Sequence, residues 1–165
     1  EIPLFKDNGG ATALSPVEGT VPQNKEGLLP EEKMPKTTEE YTALYEASKA
    51  VTTSPLDPKN VAKDIERGKK MYEHTCSACH GLNGDGQGPI VQSGAYSGVP
   101  AYKDRAITVG TIHYVITNGR NLMGSYAGQL TPADRWRVSM YIMSAFKAPE
   151  AAPAPAASTT ETNTK

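Results

Sequence analysis

Residues 60–81 read NVAKDIERGKKMYEHTCSACHG, and within them Cys76-Ser77-Ala78-Cys79-His80 forms a C-x-x-C-H run. These are the only two cysteines in the chain. The spacing is that of covalent haem c attachment, in which two thiols form thioethers to the haem vinyl groups and the adjacent imidazole reaches the iron from one face. A two-cysteine zinc site would need two further ligands, and besides His80 only His74 and His113 are on offer. A thiol redox motif would sit in a strand and helix pattern, which this sequence does not show.

Working outward, the segment before the motif predicts a helix capped by Asn60, with Val61, Ile65, Gly68 and Tyr72 on one face. Glycine inside a helix costs about 1 kcal/mol against alanine, so Gly68 marks close packing with another element. The expected partner is the last helix. Thr131-Pro132-Ala133-Asp134 supplies a cap, a first-turn proline and an acidic third position, and Val138, Tyr141, Ile142 and Ala145 then form a stripe. Trp136, Met140 and Met143 lie off that stripe, placed either to pack on a haem edge or to line a contact.

Composition fits a core that is not made of side chains alone. Leu, Ile, Val and Phe number 27 of 165 residues, below the share of about 20% under which disorder is suspected. Disorder also wants high net charge, and here 17 basic residues face 18 acidic ones. A buried macrocycle supplies the missing apolar area. The near-neutral balance argues against nucleic acid as a partner, and no apolar run reaches the roughly 18 residues of a membrane-spanning helix. Glu1 is followed by no signal-like segment, so any export signal is expected to have been removed already.

Seven of the 13 prolines fall within residues 1–58 and three at 149–155, leaving Pro89, Pro100 and Pro132 between. The predicted organisation is a Pro-rich arm over 1–58, a domain over 59–148 and a flexible Ala/Pro/Thr tail over 149–165. The domain carries 11 basic and 6 acidic residues, and the flanks 6 and 12, so an acidic arm can lie over a basic domain or face a different partner. Within the arm, Thr37 and Glu40 make a capping box, followed by Tyr41, Leu44, Tyr45 and Ser48 at helical spacing. This predicts one short helix over about 38–50, whose apolar stripe covers either this domain or another subunit.

The second iron face needs a ligand. Met71 and His74 are too close to the attachment turn to reach around the ring, and Met140 and Met143 lie inside the last helix, where core packing is methionine's ordinary role. His113 falls in a predicted helix over 110–118 and is expected to be partly exposed. Met123 stands out: Asn118-Gly119 ends that helix, and Arg120 to Ser125 form a loop that can fold over the haem. Met123 is therefore the candidate ligand, with His113 and an open site as alternatives. The glycine-rich loop 81–89 either brings a carbonyl near Pro89 to the imidazole N–H of His80 or is only a turn.

Helix, C-x-x-C-H, G-P turn, Met loop and closing helix together resemble the class I cytochromes c over residues 60–147. The resemblance implies an all-α fold of three to four helices around one haem c, bound through Cys76 and Cys79, with His80 and Met123 on the iron. It also implies that the Pro89 carbonyl holds the proximal histidine. More narrowly, ITNGRNLMGSYAGQLTPADRWRVSMYI (116–142) and the arm segment Ser15 to Pro22 are similar to the monohaem cytochrome subunit of alternative complex III, a bacterial quinol-oxidising membrane complex. That likeness implies an electron-transfer subunit with no catalysis of its own, on the periplasmic side of the inner membrane. Its partners would be the other subunits of the complex and a redox partner cytochrome or oxidase, with membrane association indirect or through a lipid anchor not visible in this chain. A free periplasmic shuttle cytochrome and a haem sensor or peroxidase with an open distal site are the competing readings.

Overall fold

The structure, a computed structural model, describes residues 34–147 together with Val17 and Gly19. The extended arm expected before residue 34 and the flexible tail expected over 149–165 lie outside the described residues. Among the described residues the fold is all-α. It comprises α1 Thr38–Ser48, α2 Val61–Thr75, the single turns α3 Ser77–His80 and α4 Pro89–Gln92, α5 Val109–Asn118 and α6 Pro132–Phe146.

Local chemistry explains where these helices begin. Thr37 caps α1 by accepting from the Glu40 amide at 3.2 Å. Glu40 reaches back to the amide of Lys36 at 2.7 Å, one residue before the cap. At α5 the box is built from two threonines: Thr108 Oγ1 accepts from Thr111 N at 3.2 Å, and Thr111 Oγ1 accepts from Thr108 N at 2.8 Å. Thr131 caps α6 as expected, accepting from the Asp134 amide, with Pro132 in the first turn. Asn60 does not cap α2. It ends a 3-10 turn, Pro58–Asn60, that Asp57 caps through the Lys59 amide at 2.9 Å, so the chain is already wound when α2 starts.

The crossing of α2 and α6 is the main seam, as Gly68 predicted. A Cβ on Gly68 would stand 2.1 Å from the Arg137 carbonyl oxygen, so the two backbones meet where only hydrogen fits. Tyr72, Val138 and Ile142 are fully buried beside it, and Ile112, Ile116 and Leu130 complete the cluster. Burying a residue such as Val138 or Ile142 contributes about 1.5–3 kcal/mol each. Ala145 is exposed and is not part of the seam, which instead ends in the rings of Tyr141 and Phe146 packed around Tyr72.

The seam also holds charges. Arg137 donates to Asp64 at 2.7 Å and to Asp134 at 2.7 Å, with side chains only 10%, 9% and 6% exposed. Arg67 closes the chain from outside with two bonds to Asp134, at 2.9 and 3.1 Å. Removing one member of such a buried set leaves another charge uncompensated, which is far more costly than the pair is favourable.

A second cluster includes residues of α5 and α6. Trp136 packs with Leu56, Val109 and Ala133, and Met140 and Met143 lie against the same group. His113 is buried, not partly exposed as expected, and its ring stacks on Trp136 at 3.8 Å. The stripe of α1 covers this domain. Tyr41 and Tyr45 both pack on the Tyr114 ring, and the Gly110 amide donates to the Val51 carbonyl at 2.9 Å. Residues 38–56 therefore pack onto the helices that follow the motif.

Candidate functional site

The attachment motif is a wound turn continuing from α2. The Cys76 amide donates to Tyr72 O at 2.8 Å, and the amides of Cys79 and His80 both donate to Cys76 O, at 3.2 and 2.9 Å. In a helical turn, residues three and four apart share a face, so this winding places Cys76, Cys79 and His80 together. Tyr72 anchors the turn from below, its buried hydroxyl donating to Gly81 O at 2.7 Å.

Both cysteines are half-buried, and no disulfide joins them. Burial, with Cys79 adding to it, pushes the Cys76 thiol up to about 12. A redox-active C-x-x-C pair works through a thiolate of lowered pKa, so this environment does not suit that alternative. Nor do the residues for zinc assemble: among the described residues no group of three or more His, Cys, Asp or Glu side chains is arranged to hold a metal ion by itself. His74 is exposed and His113 is committed to its stack on Trp136.

His80 is half-buried, and desolvation lowers its pKa, favouring the neutral imidazole that binds metals. Its ring stacks on Tyr102 at 4.9 Å, and Tyr102 stacks in turn on Phe146 at 5.6 Å. The loop after the motif folds back onto it, with Gly86 N donating to His80 O at 2.9 Å and Gly88 N to Cys79 O at 3.1 Å. A Cβ on Gly88 would lie 2.3 Å from Ala78 O, so the G-P step lies directly on the attachment turn. Pro89 follows at the start of α4, its carbonyl accepting from Ser93 N at 3.0 Å. His80 Nδ1 is buried with no hydrogen-bond partner among the described residues. The expected bond from His80 to the Pro89 carbonyl is thus not formed, although that carbonyl keeps a second lone pair.

Met123 lies in the loop after α5, where its amide donates to Arg120 O and its carbonyl accepts from Arg120 N, both at 2.9 Å. It is half-buried and packs against the Tyr72, Ile112, Ile116 cluster that Cys76 also touches. Tyr126, three residues on, has its hydroxyl raised by burial and, beyond that, by Cys76 and Cys79, so the Met loop comes down beside the motif. Met71 and Met143 pack against the same cluster from within helices α2 and α6, and Met140 and Met143 against the Trp136 group; Met123 differs in standing on a loop.

The donors are thus two thiols for covalent linkage, an imidazole with an orphaned buried nitrogen, and a loop thioether, set against an apolar cluster. That combination fits a covalently held haem: thiols for its vinyl groups, soft and imidazole ligands for iron. Sequence reasoning missed Tyr102, the ring stacked on His80. It opens a 3-10 turn, Tyr102–Asp104, within an aperiodic stretch, and only its place after a turn-rich segment marks it.

Residues 63–142 match the family described as cytochrome C oxidase, cbb3-type, subunit III. Cytochrome c6 of Bumilleriopsis filiformis is 30% identical over 81 residues, 49% of this chain and 91% of that protein. Cytochrome c6 of Thermosynechococcus vestitus is 29% identical over 90 residues, 53% of this chain and 76% of that protein. Among solved structures, cytochrome cL from Hyphomicrobium denitrificans aligns at 23% identity and a TM-score of 0.39, covering 50% of this chain and 47% of that one.

Proposed function

This chain belongs to the class I cytochrome c family, and from that premise we propose that it passes single electrons as a subunit of a membrane-bound respiratory complex that oxidises quinol. As a monohaem electron carrier it holds one haem c covalently through Cys76 and Cys79. His80 and Met123 are proposed as the axial ligands. The observation that carries this is the convergence of Cys76 and Met123, 47 residues apart in sequence, on one apolar cluster.

When bound, haem held by His80 and Met123 would supply one-electron transfer at a raised potential. The chain's own residues set that state. The wound turn fixes the two thiols and the imidazole, the Gly88-Pro89 step buttresses it, and burial lowers the pKa of His80, favouring its neutral form. Pro89 is proposed as the acceptor for His80 Nδ1, which is buried without a hydrogen-bond partner among the described residues.

Membership of a complex is supported by the likeness of residues 116–142 to the monohaem subunit of alternative complex III. It is also supported by the share of the chain beyond the cytochrome c6 match, about half. Residues 38–56 pack on this domain, so contact of the Pro-rich arm with neighbouring subunits is proposed only for the residues before 34. Among the described residues no helix is long and apolar enough to cross a membrane; attachment at the periplasmic face through neighbouring subunits or a lipid anchor belongs to the proposal.

Two experiments test this. Native membranes are solubilised in mild detergent and the chain is captured by an affinity tag. Co-purification with iron–sulfur and multihaem subunits is expected, and recovery as a monomer from the periplasmic extract would establish the free shuttle instead. Ferric haem with a thioether ligand shows a weak far-red absorption band. The wild type should show it and Met123→Ala should not; survival of the band in that variant removes Met123 from the iron.

A further inference from the structure

Helix α1 lies outside the 63–142 region shared with the family, yet it is bonded to the loop that carries Met123. The Tyr41 hydroxyl donates to Gly119 O at 2.6 Å. Gly119 ends α5 at φ 77°, and a Cβ there would lie 2.6 Å from the Met123 carbonyl oxygen, so its backbone abuts the residue proposed as ligand. The guanidinium of Arg120 sits 4.1 Å over the ring of Tyr45, and Arg120 is the residue whose amide and carbonyl both pair with Met123. Tyr41 is itself held in place: the Tyr114 hydroxyl donates to its carbonyl at 3.1 Å, and the two rings meet edge to face at 5.2 Å.

The far side of the same loop is tied too. Tyr96 donates its hydroxyl to Leu122 O, Ser125 Oγ donates to Thr117 O at 2.5 Å, and Tyr126 N donates to Ile116 O at 2.9 Å. Leu122 itself is 74% exposed, so the loop tip has little apolar burial of its own and relies on these bonds.

We propose that α1 is a clamp on the Met123 loop, with Tyr41 and Tyr45 as positioning residues that keep the thioether on the iron. This rests on the reading of Met123 as ligand. Loop opening breaks no covalent bond in the chain, so its equilibrium is set by the few contacts that must be released. A neutral hydrogen bond is worth up to about tenfold in such an equilibrium, and an exposed cation–π contact about two- to fivefold.

The test uses the full haem-loaded chain and imidazole as the probe, which binds ferric iron when the Met loop opens. Tyr41→Phe keeps the ring and its packing on Tyr114 while removing the hydroxyl. It should tighten imidazole binding about three- to tenfold, and Arg120→Gln about two- to fivefold. Amide hydrogen exchange at Arg120 and Met123, whose amides bond to each other's carbonyls, should speed up by similar factors. If Tyr41→Phe and Arg120→Gln lower the unfolding midpoint but leave imidazole affinity and both exchange rates unchanged, α1 is packing and not a clamp. Failure of the ligand reading shows separately, as a far-red band that persists in Met123→Ala. In that case exchange at Arg120 and Met123 still decides whether α1 holds the loop.

Discussion

Replacing Gly68 by alanine puts one methyl group where the crossing of α2 and α6 has no room. The new Cβ would lie 2.1 Å from Arg137 O, 2.6 Å from Arg137 C and 3.1 Å from Val138 N. A close carbon–oxygen contact is about 3.3–3.6 Å, so the helices must part by roughly 1 Å. All three obstructing atoms are backbone, and no rotamer change relieves them. Parting the helices also loosens the packing of Tyr72, Val138 and Ile142 and stretches the 2.7 Å bond from Arg137 to Asp64. Overpacking costs about 1–3 kcal/mol and sometimes more, and this site belongs at the upper end. Alanine's helix propensity offsets about 1 kcal/mol, leaving a net loss of about 2 kcal/mol. For a domain of this size that lowers the midpoint by about 8–16 °C. Thermal unfolding of the haem-loaded protein, followed by far-ultraviolet circular dichroism, measures it. A midpoint equal to or above that of the wild type would refute the close backbone approach and the seam built on it.

Tyr72→Phe removes the donor to Gly81 O at the base of the attachment turn; the Gly84 amide still donates to that carbonyl at 3.3 Å, so the cost in urea unfolding should be about 0.5–1.5 kcal/mol. A shift of the urea midpoint too small to resolve would contradict that role. Asp134 is held below its ordinary value of 3.8 although burial alone raises it, because hydrogen bonds from Arg67, Arg137 and Thr131 outweigh burial. A depressed folded pKa gives stability that is complete above the unfolded value and is lost as pH falls through the folded one. Stability should therefore fall below about pH 4, and Asp134→Asn should show a shallower acid limb. Superimposable acid limbs in the two proteins would exclude the linkage.

What could be read from the chain beforehand was whatever depends on local pattern. The attachment turn, the cap at Thr131 and the seam announced by Gly68 and Tyr72 each follow from residues within a few positions of one another. What escaped depends on partners far away in sequence. Asp64 and Arg137 look like solvated helix positions until the crossing brings them to 2.7 Å. His113 is a polar residue on an apolar helix, and only Trp136 on α6 explains its burial. The stripe on α1 was plain, but not that its cover would be Tyr114 and Gly119 of this same domain. Asn60 was misjudged for a local reason, since Asp57 caps a 3-10 turn just ahead of it. The proposed ligand role of Met123 rests on its packing beside Cys76 on one cluster, and that of His80 on its place in the attachment turn.

The contact between Gly68 and Arg137 joins residues 69 apart in sequence, and this sets the tempo of folding. Helical proteins usually fold fast because their contacts are local. Here the principal seam forms only after a long loop closes, and that entropy must be met before any of its contacts form. The domain is helical in content but ring-shaped in connectivity. Its first and last core helices meet or part together, so a disturbance at the end of α6 reaches the start of the attachment turn without crossing the middle of the chain.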